Sequence, residues 1–257
     1  MLTPPEIARS LLAAGESKAR LPFGKMLLLA TLAGAYIALA GVGATAAAVT
    51  VESGSLAKLL SACVFPAGLS MVILAGSELF TGNCLMVMAL LERRITPAQL
   101  LRNWLTVYLG NAVGGAAVAA LAVYSHTASL FGDGLARSMV SIAESKAALG
   151  AGDAFLRGVL CNFLVCLAVW MAAASKRAEG KVIALFFPIL LFVLCGYEHC
   201  IANLYYLPAG AFAAAEYGME TTLTLAGCLE NLAAVTLGNL VGGAALGVGY
   251  RFAYLKE

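Results

Sequence analysis

Long apolar stretches alternate with short polar and charged segments along the chain, over residues 26–49, 56–91, 104–124, 154–174, 182–212 and 225–250. A helix needs about 20 apolar residues to cross a roughly 30 Å hydrocarbon core. The pattern therefore predicts an all-α membrane protein with six spans. The second and fifth runs are too long for one simple crossing and hold polar residues in mid-run: Glu78, Thr81, Gly82 and Asn83 in one, Gly196, Glu198, His199 and Asn203 in the other. Both are read as broken helices.

Composition agrees with a lipid environment. The 257 residues are 61% hydrophobic and 12% charged, with a mean hydropathy of +0.90, against about 25% charged in a soluble domain. A net charge of +2 from 16 basic and 14 acidic side chains supplies no basic patch for nucleic acid. The seven cysteines are an odd number and mostly lie in apolar runs (Cys63, Cys84, Cys161, Cys166, Cys195, Cys200), where a small buried hydrophobe is expected and not a disulfide framework. The polar first 24 residues do not read as a cleavable leader.

Charge also predicts orientation, because cytoplasmic segments retain Lys and Arg. Twelve of the sixteen basic residues fall on one side of the six spans, and only Lys58, Arg137, Lys146 and Arg157 fall on the other. Both termini are expected in the cytoplasm, with the connection 125–153, including His126, outside. Residues 1–24 form a separate segment in which 4–17 could be an amphipathic helix on the inner surface, read as an anchor without a part in transport. Residues 25–257 form the membrane domain.

An internal repeat organises that domain. Leu-Gly-Asn-Ala-Val-Gly-Gly-Ala at 109–116 and Leu-Gly-Asn-Leu-Val-Gly-Gly-Ala at 237–244 match at seven of eight positions, 128 residues apart, and the same offset pairs Asn103 with Asn231. Each half, 25–124 and 154–250, holds three spans with its broken helix in the middle. Three is odd, so the halves cross in opposite senses, as in inverted-repeat transporters. The paired glycines are read as close helix packing. Irregular backbone at membrane depth is tolerated where it lines a cavity or is buried in protein, so two breaks predict a pore between the halves.

The Glu-Leu-Phe-Thr-Gly-Asn string at 78–83, the Glu-His-Cys-Ile-Ala-Asn string at 198–203 and the Asn-Phe-Leu-Val-Cys-Leu-Ala-Val-Trp-Met string at 162–171 together resemble the formate/nitrite transporter family. The resemblance covers all six spans. It implies an aquaporin-like protomer in a homopentamer, in a bacterial or archaeal cell membrane, passing formate, nitrite or hydrosulfide. It further implies that His199 is the central pore histidine, Asn203 its partner one turn on, and Thr81 the residue facing it. Lys146 would attract anions in the outer vestibule, and Asn162 would line the chamber. The apolar constrictions would fall to Leu79, Phe80 and Val165 on the cytoplasmic side and to Phe65, Leu69 and Phe192 on the outer side.

Physical chemistry supports such roles. A small anion in a dry apolar constriction faces an idealised Born cost of order 20 kcal/mol, and a neutral acid faces far less. A histidine, whose ordinary pKa is about 6.5, suits proton exchange near neutral pH. Thr81 can donate to the anion, and Asn203 at i+4 can hold the ring. Glu198 could set the charge of the histidine; alternatively, Glu78 and Glu198 brace the breaks by accepting backbone N–H bonds. Lys146 could equally be an ordinary solvated lysine. Formate is the expected substrate, protons and lipid the other partners, and no cofactor or metal is expected. An enzyme is disfavoured by two distant histidines without a metal-spaced cluster. A water or polyol channel is the closer rival, but neither break carries Asn-Pro-Ala.

Overall fold

The structure, a computed structural model, describes residues 1–256, and these are all-helical with irregular connections. In chain order the helices are α1 (Pro4–Ala19), α2 (Phe23–Ala48), α3 (Gly54–Val64), α4 (Pro66–Ala75), α5 (Phe80–Asn83), α6 (Val87–Leu91), α7 (Pro97–Tyr124), α8 (Gly134–Ala147), α9 (Ala151–Ala173), α10 (Ala178–Leu194), α11 (Cys200–Glu216) and α12 (Leu225–Tyr254). Among the described residues, five segments are long and apolar enough to cross a membrane: α2, the α3–α4 pair over Gly54–Ala75, α7, α9 and α12. The run 182–212 instead divides between α10 and α11, each of 17 residues.

Both breaks start the same way. Gly76 ends α4 with φ 77° and Gly196 follows α10 with φ 70°, a left-handed conformation that glycine enters without a Cβ clash. Three non-helical residues follow each turn, the last of them, Leu79 and His199, extended, and the chain re-enters helix at Phe80 and at Cys200.

Two helix pairs flank the breaks, α2 on α7 and α9 on α12. A Cβ on Gly114 would collide with the Thr31 carbonyl oxygen, and one on Gly242 with that of Val159, so the repeated glycines do set backbone-to-backbone approach. Gly114→Ala is expected to cost about 1–3 kcal/mol by forcing the helices apart. Thermal unfolding of purified protein checks this against Gly24→Ala, where a Cβ meets nothing within 4 Å. Outward, α7 shows Leu101, Leu105, Leu109 and Val113, and α12 shows Leu229, Leu237 and Val241; in lipid such stripes carry no penalty.

Three findings add to the sequence expectations or correct them. First, α1, capped by a Thr3–Glu6 box, does not simply lie on a surface: Ile7 and Ala8 are buried in a cluster with Met88 and Trp170, and Lys18 pairs with Glu78 at 2.7 Å. Second, the connection 125–153 contains α8, whose Glu144 accepts from the Thr222 N–H at 2.7 Å and the Thr221 hydroxyl at 2.9 Å. These donors hold its carboxyl below the usual range. Third, Cys63 and Cys195 are exposed, whereas Cys84, Cys161, Cys166 and Cys200 are buried; all seven cysteines are free. His126 is exposed, as expected.

Candidate transport pathway

The two breaks meet inside the bundle. His199 is the N-cap residue of α11, and its Nδ1 accepts the Ala202 N–H at 3.0 Å. Its Nε2 lies 3.1 Å from Oγ1 of Thr81, and the ring stacks on Phe192 with centroids 5.8 Å apart. An Nδ1 that accepts a backbone bond leaves the proton of a neutral ring on Nε2. Nε2–H therefore donates to the Thr81 oxygen, and the hydroxyl proton of Thr81 is directed elsewhere. Both residues are buried, His199 at 3% and Thr81 at 0% exposure.

The expected orienting role of Asn203 is not met. Its Nδ2 donates to Glu198 Oε2 and Asn231 Oδ1, both at 2.7 Å, so the backbone of Ala202 holds the ring. Asn162 likewise spends its amide on structure, donating to Asn239 O at 2.7 Å and Thr81 O at 3.3 Å. Nor do Glu78 and Glu198 brace the breaks through backbone N–H bonds. Their own N–H groups donate to Leu29 O and Arg157 O, each at 3.3 Å, and their carboxylates pair with side chains.

That pairing recurs at each break. Glu78 accepts from Lys18 Nζ at 2.7 Å and Asn83 Nδ2 at 2.8 Å, and Asn83 Nδ2 also reaches Asn103 Oδ1 at 2.9 Å. Glu198 accepts from Lys146 Nζ at 2.9 Å and from Asn203, which reaches Asn231. Lys146 is thus neither a free anion attractor nor an ordinary solvated lysine: its side chain is 15% exposed and ion-paired.

The groups that hold the backbone of the breaks went unassigned from sequence. Asn111 Oδ1 accepts the Phe80 N–H at 3.0 Å, while its Nδ2 donates to Ala30 O at 2.7 Å and Glu78 O at 2.9 Å. Asn239 Oδ1 accepts the Cys200 N–H at 2.9 Å, and its Nδ2 donates to Gly158 O at 2.8 Å and Glu198 O at 2.9 Å. The available signal was an asparagine amid an apolar run, repeated at the same place in both Leu-Gly-Asn strings.

A cavity lies on either side of the His199–Thr81 contact. The larger, about 880 Å³, reaches from Lys58 and Arg137 past Lys146 and Glu198 to His199, with Phe65 and Phe192 at its floor. Those two rings pack edge to face with centroids 5.7 Å apart. The smaller, about 280 Å³, is walled by α1 and includes Lys18, Glu78, Leu69 and Leu79. Leu69 is therefore misplaced by the sequence reading: it closes the side on which α1 lies and not the far side. Phe80 and Val165 line neither cavity; they are buried in the same core as Leu79, with Phe80 against Tyr108 at 5.1 Å.

The family model described as Formate/nitrite transporter matches residues 5–253. The chain belongs to the formate/nitrite transporter family. The probable formate transporter of Methanothermobacter thermautotrophicus is 38% identical over 99% of the chain and 98% of its own length. Two solved structures, each 32% identical, are similar throughout: an FNT family ion channel (TM-score 0.86, 96% of this chain and 98% of that one) and a pentameric formate channel with formate bound (TM-score 0.80, 91% and 98%). As a formate/nitrite transporter the chain is a multi-pass membrane protein of a family of channels and transporters, not enzymes.

Proposed function

We propose that the chain forms a transmembrane pathway for small monovalent anions of weak acids, formate first among them, through the point where His199 meets Thr81. The observation that carries this reading is the 3.1 Å contact between the two breaks, set between two cavities and closed on both sides by apolar side chains. An anion entering that constriction loses its hydration, and neutralisation by one proton removes most of the cost. His199 assists through Thr81: with Nε2–H donating to Oγ1, the hydroxyl proton is presented to the acid oxygen, and this favours the protonated or hydrogen-bonded passenger. The 128-residue offset and the like bonding of Asn111 and Asn239 support six spans in two inverted halves, 25–124 and 154–250. The family, with its pentameric formate channel, supports a homopentamer. The distribution of Lys and Arg supports cytoplasmic termini.

A flux panel in proteoliposomes tests the reading, with formate, nitrite, hydrosulfide, lactate and glycerol offered with and without a pH gradient. Formate uptake that accelerates under an inward proton gradient is expected. Faster nitrite or hydrosulfide would reassign the substrate within the family, and glycerol flux without a formate response would overturn the reading. His199→Ala removes the donor to Thr81 and is expected to slow formate uptake by about 10²-fold or more, by a like factor at each pH between about 5 and 8, because the neutral ring donates throughout that range. Unchanged flux would exclude the histidine.

A further inference from the structure

The four basic residues that sequence places opposite the termini, Lys58, Arg137, Lys146 and Arg157, all line the larger cavity. Among the described residues that line it, the only acid is Glu198, which Lys146 engages through both carboxylate oxygens at 2.9 Å. Lys58, Arg137 and Arg157 have no carboxylate in ion-pair contact among the described residues. The Arg137 guanidinium is positioned by a 2.6 Å bond to Gly132 O. Lys58 Nζ lies 4.0 Å from where a Cβ on Gly196 would stand, at the turn that opens the second break. Backbone joins Arg157 to the same break, since its carbonyl accepts the Glu198 N–H. Three uncompensated cations thus ring one mouth. The smaller cavity has Lys18 as its one lining cation, and Glu78 neutralises it.

We infer that this vestibule is a binding site for di- and trivalent oxyanions, carboxylates or phosphates, which plug the pathway from that face. The ring does more than concentrate a passing monovalent anion. Each added charge on the ligand meets the same three cations again, so attraction grows with ligand charge in a concave, weakly screened mouth. A monovalent weak acid leaves inward because one proton neutralises it. A di- or trivalent anion keeps charge after one protonation, cannot enter the apolar floor at Phe65 and Phe192, and stays. Binding stands on the vestibule alone, while the block rests on the pathway proposed above.

Two measurements separate these parts. Calorimetry on the intact protein in detergent, at low salt, is run with citrate and with inorganic pyrophosphate, acetate serving as the monovalent reference. The expected result is binding of citrate or pyrophosphate at least about tenfold tighter than acetate, weakened about tenfold or more in Lys58→Gln/Arg157→Gln and kept within about threefold in Lys58→Arg/Arg157→Lys. Citrate alone would point to carboxylates and pyrophosphate alone to phosphates. No preference over acetate, or equal affinity in the neutralised variant, overturns the site even if formate flux is intact. In oriented vesicles, citrate added opposite the termini should inhibit formate uptake and citrate on the termini side should not. Equal inhibition from both faces overturns the sided plug. Absence of formate flux in the unmodified protein is instead a failure of the pathway reading, and leaves the calorimetric result standing.

Discussion

Asn239→Ala is expected to abolish most of the folded protein. The wild-type amide makes three bonds to main chain, and no part of Asn239 is exposed. Alanine leaves the Cys200 N–H and the carbonyls of Gly158 and Glu198 without that partner, at about 1–3 kcal/mol for each group left unsatisfied. A total of about 3–9 kcal/mol is a large share of the 5–15 kcal/mol typical of folded domains. Asn239→Asp should do no better, because it keeps the acceptor for Cys200 and loses both donors while turning a carboxylate toward two carbonyls. Asn111→Ala should behave alike, since Asn111 does for Phe80, Ala30 and Glu78 what Asn239 does for its three partners. Fluorescence-detected size exclusion and thermal unfolding provide the check. A wild-type melting temperature for Asn239→Ala would show that the break holds itself.

That expectation also marks where sequence reasoning stops. The breaks were legible because polar residues in mid-run have to be accommodated in lipid, and Gly76 and Gly196 stand where the chain must turn. The His199–Thr81 pair was legible through motif, since each residue sits on its own break. The brace was not: Asn239 acts on Cys200, 39 residues away, and on Gly158, 81 residues away, and no local pattern encodes such a partner. The same limit hid the pairing of Lys18 with Glu78, which made α1 look like a surface anchor. Leu69 goes to the wrong side because its place is taken from the family resemblance, and nothing in an apolar run shows how deep a residue lies along a bent helix. In Asn203 the i+4 spacing was real, but the two partners of its amide, Glu198 and Asn231, drew it away from the ring.

Glu198→Ala is the second large effect, and its interpretation turns on Lys146. The carboxylate is 8% exposed and the lysine 15%, with both Glu198 oxygens at 2.9 Å from Nζ. Removing one partner of a buried ion pair leaves the other charge desolvated without compensation, a loss of about 3–5 kcal/mol. Glu198→Ala should therefore melt well below wild type, and Lys146→Ala should fail for the complementary reason, stranding an anion beside the path that anions would use. If the two residues act chiefly on each other, the double variant Glu198→Ala/Lys146→Ala recovers part of the loss, with a coupling of about 1–3 kcal/mol in a double-mutant cycle on unfolding. Flux then separates structure from attraction. A double variant that regains stability and also regains formate uptake would make the pair a structural clamp, with Lys58, Arg137 and Arg157 supplying the field at the mouth. A double variant that folds but stays slow would mean that Lys146 reaches the anion directly, exchanging Glu198 for it as the anion passes. The geometry favours the clamp, because Nζ already engages both carboxylate oxygens and Asn231 Nδ2 holds the Lys146 carbonyl at 2.8 Å, so the lysine is fixed at both ends before any anion arrives.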